Sequence, residues 1–125
     1  MGLLGGWLGN ASEVDAAELQ KEFGPVLGPG ERIEKAYRLT RDLLVFTDKR
    51  LVLVDKQGLT GSKVEYHSIP YRAVTQFVVE TAGHLDLEAE LSIWISGRAE
   101  PIRKQFTRGV NVYEIQGLLA VHIAG

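Results

Sequence analysis

Apolar and polar positions along this chain follow two periods. From Glu31 to Thr107 the apolar residues come in short, strand-length runs broken by Gly, Pro and Asp, and on either side they recur at helical spacing. The clearest element is Leu43-Leu-Val-Phe-Thr-Asp-Lys-Arg-Leu-Val-Leu-Val-Asp55, two apolar runs around the polar turn Thr47–Arg50, which predicts a β-hairpin. Both runs are apolar at successive positions, so both faces of the hairpin should be covered and it should sit at the centre of a sheet.

The pattern around it predicts five more strands. Ile33 to Leu39 precedes the hairpin. Lys63 to Ile69 follows the turns Asp55–Gly58 and Gly58–Gly61, and stops at Pro70, which has no N–H for a ladder. Ala73 to Glu80, Leu85 to Ile95 and Pro101 to Thr107 complete a set of seven. Leu85–Ile95 alternates cleanly, with Leu85, Leu87, Ala89, Leu91, Ile93 and Ile95 on one face and Asp86, Glu88, Glu90, Ser92 and Trp94 on the other.

Helices are expected at the ends. Ser12 caps a short helix with acids in its first turn, which runs to Phe23 and is ended by Gly24-Pro25. The loop Gly28-Pro29-Gly30 would let it dock on its own barrel or swing onto another subunit. Asn111, with Glu114 three residues on, is the capping box of a closing helix whose apolar stripe is Val112, Ile115, Leu118, Leu119 and His122. The result is a mainly β chain: an N-terminal arm, helix and loop over residues 1–30, then a strongly bent antiparallel barrel with a C-terminal helix over 31–125.

Composition narrows the function classes. Fourteen Lys and Arg against sixteen Asp and Glu, without a basic cluster, leave no footprint for nucleic acid. Absence of cysteine excludes disulfides, iron–sulfur clusters and thiolate zinc sites, and fits a reducing cytoplasm. No apolar run reaches membrane-span length. The segment Met1–Gly9 is neither a secretory signal nor a myristoylation site, having Gly6 where Ser or Thr is needed. Its Leu3, Leu4, Trp7 and Leu8 are expected to pack on the protein itself or a neighbouring copy, with membrane contact as the alternative.

Candidate chemistry is sparse. Asp86, Glu88 and Glu90 share one sheet face, but successive members lie about 7 Å apart, too far to hold one hard cation unaided. A charge ladder paired with Arg103, or with an Arg of another subunit, is preferred to a metal site, and Glu80 belongs to the same polar region. His67, His84 and His122 are scattered over strand, loop and helix. His67 and Ser68 point to opposite faces of a strand and cannot form a nucleophile–base pair. Gly58-Leu-Thr-Gly-Ser-Lys63 lacks the phosphate-loop Gly-Lys-Ser/Thr and leads into a strand. Lys49 and Arg50, with Arg38 and Arg41, form a candidate weak anion patch whose plainer role is to keep the hairpin turn soluble. Trp94, on a polar face, suggests an interface anchor or a site covered by the N-terminal segment.

Taken in order, Phe46-Thr-Asp-Lys-Arg-Leu51, Asp55-Lys-Gln-Gly-Leu-Thr-Gly61, Ser68-Ile-Pro-Tyr71, Glu80-Thr-Ala-Gly83, Asp86-Leu-Glu-Ala-Glu-Leu91 and Tyr113-Glu-Ile-Gln116 resemble the bacterial pleckstrin-homology (PH-like) domain family. The resemblance implies the seven-stranded split barrel with its C-terminal helix, the additional N-terminal helix, and assembly into closed rings of identical subunits. It implies no reaction, and a shared fold does not transfer phosphoinositide binding. The tryptophan usual in the closing helix of eukaryotic relatives is absent from Asn111–Ile123, and no dense Lys/Arg loop follows the first strand. The expectation is a cytoplasmic, non-enzymatic module without cofactor or metal that binds copies of itself, with another protein as a further candidate partner. Glu80, Asp86, Glu88, Glu90, Trp94 and Arg103 would contribute to the interface. A peripheral lipid- or anion-binding domain is the alternative, and a small metal-dependent enzyme a distant third.

Overall fold

The computed structural model describes residues 13–39, 42–57, 63–81, 89–106 and 110–124. Strand β1 (Glu13–Val14) leads into helix α1 (Ala16–Glu22). Strands β2 (Ile33–Arg38), β3 (Asp42–Thr47), β4 (Arg50–Gln57) and β5 (Lys63–Pro70) then follow. A 3₁₀ turn at Tyr71–Ala73 introduces β6 (Val74–Glu80), β7 (Glu90–Ile95) and β8 (Ile102–Gln105). Helix α2 (Val112–Leu119) closes the barrel and runs on as a π-turn over Ala120–Ala124. The strands form two antiparallel sheets, β1-β2-β3-β4-β5 and β6-β7-β8. A bridge between Leu39 and Phe106 joins the ends of β2 and β8 at one corner.

The hairpin is covered on both faces, as its unbroken apolar runs require. Leu44, Phe46, Leu51 and Leu53 face inward and pack with Leu91 and Ile93 of the second sheet and Ile115 and Leu119 of α2. Leu43, Val45, Val52 and Val54 face outward, under Leu19 and Phe23 of α1. Gln20 fastens α1 to its own sheet: its side chain accepts from the Ile33 N–H at 2.8 Å and donates to the Glu31 carbonyl at 3.2 Å. α1 therefore docks on its own barrel.

The structure differs from the sequence pattern at the N-terminus. Val14 is buried in β1, paired with Ala36, so the described residues carry an eighth strand and the helix starts later. Its cap is Asp15, which accepts from the Ala17 N–H at 3.0 Å; Ser12, the expected cap, lies outside the described residues. β2 ends at Arg38, and Leu39 beyond it donates to the Asp42 carbonyl at 2.9 Å and bridges to Phe106. At α2 the capping residue is as expected, with Asn111 accepting from the Glu114 N–H at 3.2 Å. The Glu114 carboxylate accepts instead from the Tyr37 hydroxyl and pairs with Lys35 at 3.7 Å.

Candidate functional site

The strongest polar cluster lies inside the subunit. The Arg50 guanidinium grips Glu31 through Nε to Oε2 at 2.8 Å and Nη2 to Oε1 at 3.0 Å. It also donates to the Val26 carbonyl at 2.8 Å and the Ser68 hydroxyl at 2.6 Å. Glu31 accepts further bonds from the Thr47 hydroxyl and the Gly28 N–H. Thr47 is fully buried, and its hydroxyl also accepts from the Lys49 and Arg50 N–H groups, the local closure that Thr favours in a turn. Held in this way, the Glu31 carboxyl falls from 4.5 to about 2, chiefly through Arg50 and against the opposing cost of burial. The pair locks the Gly/Pro loop to the hairpin turn and takes up the group that the sequence offered to an anion. Lys49 is exposed, Arg38 is half-buried on β2, and Arg41 lies outside the described residues.

A second clasp joins the sheets. Asp42, Asp55 and Glu65 stand opposite one another across β3, β4 and β5. Lys104 of β8 reaches the Asp42 Oδ2 at 2.8 Å, while the buried Asp42 Oδ1 meets no donor. Burial, with Asp55 adding to it against the pull of Lys104, raises the Asp42 carboxyl. Beside this clasp a cleft of about 560 Å³ opens between β5 and β8, with Asp55 and Glu65 on one wall and Arg103 and Lys104 on the other. Arg98 lines it as well, so three cations stand against two carboxylates, with Lys104 already paired to Asp42. Among the described residues no group of three or more His, Cys, Asp or Glu is placed to hold a metal. His67 lines this cleft, whereas His122 stacks on Tyr71 at 4.2 Å and meets Glu34 at 2.7 Å, so these two share no site. His84 lies outside the described residues.

The remaining sequence-selected residues meet on the outer face of the second sheet. Gln76, Val78 and Glu80 of β6 stand opposite Trp94, Ser92 and Glu90 of β7. Arg103 and Gln105 of β8 stand opposite Ser92 and Glu90. Glu80 and Glu90 are thus side by side, two carboxylates whose proximity costs a few tenths of a kcal/mol. Arg103 is one row away, exposed and diagonal to Glu90. Val78 is 42% exposed, and Trp94 is half-buried rather than free. Ser92, placed on the polar face by its alternation, is buried between these neighbours. Asp86 and Glu88, like Leu3, Leu4, Trp7 and Leu8, lie outside the described residues.

The profile of the bacterial PH domain family matches residues 2–123. The chain belongs to that family. Its bacterial PH fold is shared with a family protein of Shewanella loihica that has a pleckstrin-homology domain, at TM-score 0.80 and 53% identity over 91% of this chain and 97% of that one. A pleckstrin-homology domain from Shewanella amazonensis matches at TM-score 0.78 and 52% identity, over 89% and 100%. A PH-domain protein of Exiguobacterium sibiricum, at TM-score 0.67 and 22% identity, shares the fold alone. Among curated proteins the chain is similar to YjqA of Bacillus subtilis, 54% identical over 96% of this chain and 97% of the relative. YozO of the same organism is 29% identical over 82% and 88%. Among the described residues of this bacterial PH domain no helix is long and apolar enough to cross a membrane.

Glu31 and Asp42 are the residues that sequence reasoning missed. Each is an ordinary acid near a turn, and its partner lies 19 or 62 positions away. The usable signal was Thr47, a β-branched hydroxyl residue at the first position of a tight turn.

Proposed function

We propose that this bacterial PH domain is a non-catalytic module that assembles with copies of itself, as a closed ring, and uses that assembly as a binding scaffold. One observation carries this reading. Over β3 and β4 the outer face of the first sheet is covered from within the chain, with Val64 and Tyr66 of β5 exposed toward its edge, whereas that of the second bears exposed Val78, half-buried Trp94 and the neighbouring like charges Glu80 and Glu90. Such a mixture of an aromatic, an aliphatic and adjacent like charges suits a protein interface. Closing a ring requires this patch to meet a different patch on the next copy, with an arginine such as Arg103 of one copy neutralising the carboxylates of another. The commitment of Arg50 to Glu31 takes one of the four cations of the candidate anion patch away from a lipid headgroup, which weighs against the lipid alternative. Light scattering on the full chain tests the proposal. A mass several times that of one chain is expected, and a monomer throughout the micromolar range would overturn it.

A further inference from the structure

The cleft beside the Asp42–Lys104 clasp is lined by four consecutive residues of β5, Glu65 to Ser68, and three of β8, Ile102 to Lys104. Successive side chains of a strand point to opposite faces, so a wall of consecutive residues is the edge of a strand. β5 is the last strand of the first sheet and β8 the last of the second. Among the described residues neither pairs with a further strand, apart from the bridge to Leu39 of Phe106, just beyond β8. The outer edges of both therefore bring backbone N–H and C=O groups to the cleft. The four residues of β5 extend over about 10 Å, the length of three residues of extended chain.

Charge is sorted between the walls. Arg98, Arg103 and Lys104 come from the second sheet and its turn, Asp55 and Glu65 from the first. Lys104 is committed to Asp42. Arg98 and Glu65 are exposed, and among the described residues neither has an ion pair. The turn that carries Arg98 is fixed: Gly97 takes φ +85°, and the Arg98 N–H donates to the Ile95 carbonyl at 3.2 Å. Leu53 and Ile102 make part of the lining apolar. A guanidinium grips a carboxylate through two parallel bonds, while a carboxylate on the facing wall attracts an ammonium. A ligand of one sign would be drawn to one wall and repelled by the other. This weighs against phosphates and favours a molecule with opposite charges at its two ends.

We infer that this cleft binds a short extended peptide with free termini, its carboxylate on Arg98, its ammonium on Glu65 and its backbone along the edge of β5. Arg98 and Glu65 are not among the residues of the proposed assembly face, which shares only Arg103 with the cleft, so either reading can fail alone. Calorimetric titration of the full-length protein with the tripeptide Ala-Leu-Ala at low salt should give a Kd below about 1 mM. Acetylating the peptide's amine, or amidating its carboxylate, should weaken binding by about tenfold or more. Arg98→Gln should bind the free peptide about tenfold more weakly and no longer distinguish it from the amide, at an unchanged urea midpoint. Glu65→Gln should behave likewise toward the acetylated form. A Kd above about 1 mM for Ala-Leu-Ala would overturn the inference, as would blocked peptides that bind as tightly as the free one or variants that bind like the wild type. Binding of alanine or of glycerophosphoethanolamine at least as tight as that of the tripeptide would also overturn it, by assigning the cleft to a free amino acid or to a lipid headgroup.

Discussion

Over β3 and β4 the outer face of the five-stranded sheet is built from Leu43, Val45, Val52 and Val54 and lies beneath Leu19 and Phe23, all nearly inaccessible, while Val64 and Tyr66 of β5 stay exposed toward its edge. The outer face of the three-stranded sheet is built from Gln76, Val78, Glu80, Glu90, Ser92, Trp94, Arg103 and Gln105, and most of these are exposed. Both sheets present their inner faces to one core, so the difference lies wholly outside the barrel. Hydrophobic burial accounts for it. The first face would expose four aliphatic side chains without α1, at about 1.5–3 kcal/mol for each one left in water. The second has enough polar groups to remain soluble, and what a partner could still improve is the half-buried Trp94, the exposed Val78 and the repulsion between Glu80 and Glu90. The chain supplies the cover where the cost of exposure is largest and leaves the mixed face open.

Removing the cover should have the largest effect. Phe23 is 1% exposed and meets Tyr66 edge-on with ring centroids 5.6 Å apart. Phe23→Ala should lower unfolding free energy by roughly 3–5 kcal/mol, read as a shift in the urea midpoint. An equally stable variant would show that α1 is not a structural part of the first sheet.

The next largest effect concerns the loop that returns from α1 to that sheet. The Glu31 carboxyl is lower in the folded protein than in the unfolded chain. Its contribution is therefore fully present above about pH 4.5 and is lost as pH falls toward 2. The drop from 4.5 to about 2 corresponds to roughly 3 kcal/mol. Glu31→Gln should abolish most of this acid dependence in urea titrations between pH 5 and 2 (range chosen to span the transition), while costing roughly 1.5–3 kcal/mol at neutral pH. Retention of the wild-type acid limb would assign it to other carboxylates.

A smaller effect is expected at the clasp between the sheets. The Asp42 carboxyl is raised, mainly by burial, so the folded state holds its proton more tightly and loses stability as pH climbs through its titration. Asp42→Asn can donate to Asp55 and still accept from Lys104. It should equal or exceed the wild type by up to about 1 kcal/mol at neutral pH, with the gap closing as pH falls toward 4. A variant less stable at neutral pH by more than that would mean the ion pair with Lys104 outweighs the cost of burying the charge.

The smallest effect lies on the open face. Glu80→Lys replaces a like pair with an unlike one opposite Glu90, and thermal denaturation at low salt should show a gain of about 0.2–1 kcal/mol that fades at high salt. A loss of stability would show that Glu80 already has a favourable partner.

Much of the fold was legible in the chain. The unbroken apolar runs of Leu43–Asp55 indicated a hairpin covered twice, and Asn111 indicated where α2 begins. The clean alternation of β7 placed Leu91 and Ile93 inside. Where local pattern failed, the cause was long-range. Val14 belongs to a sheet because Ala36 is there to pair with it, and Ser92 is buried because Val78 and Arg103 flank it. The candidate site was legible as a set of residues on one face, but its arrangement was not. Which carboxylate stands beside which is a matter of register between β6, β7 and β8, and no local spacing encodes it.

The comparison between the two faces rests on the second being an assembly surface. Val78 is exposed near its centre, so Val78→Asp should leave the fold's urea midpoint nearly unchanged while placing another negative charge beside Glu80 and Glu90. Light scattering at matched micromolar concentrations should find the wild type at a multiple of the chain's mass and Val78→Asp at the mass of one chain. A variant that keeps the full wild-type mass, with its stability intact, would contradict the account.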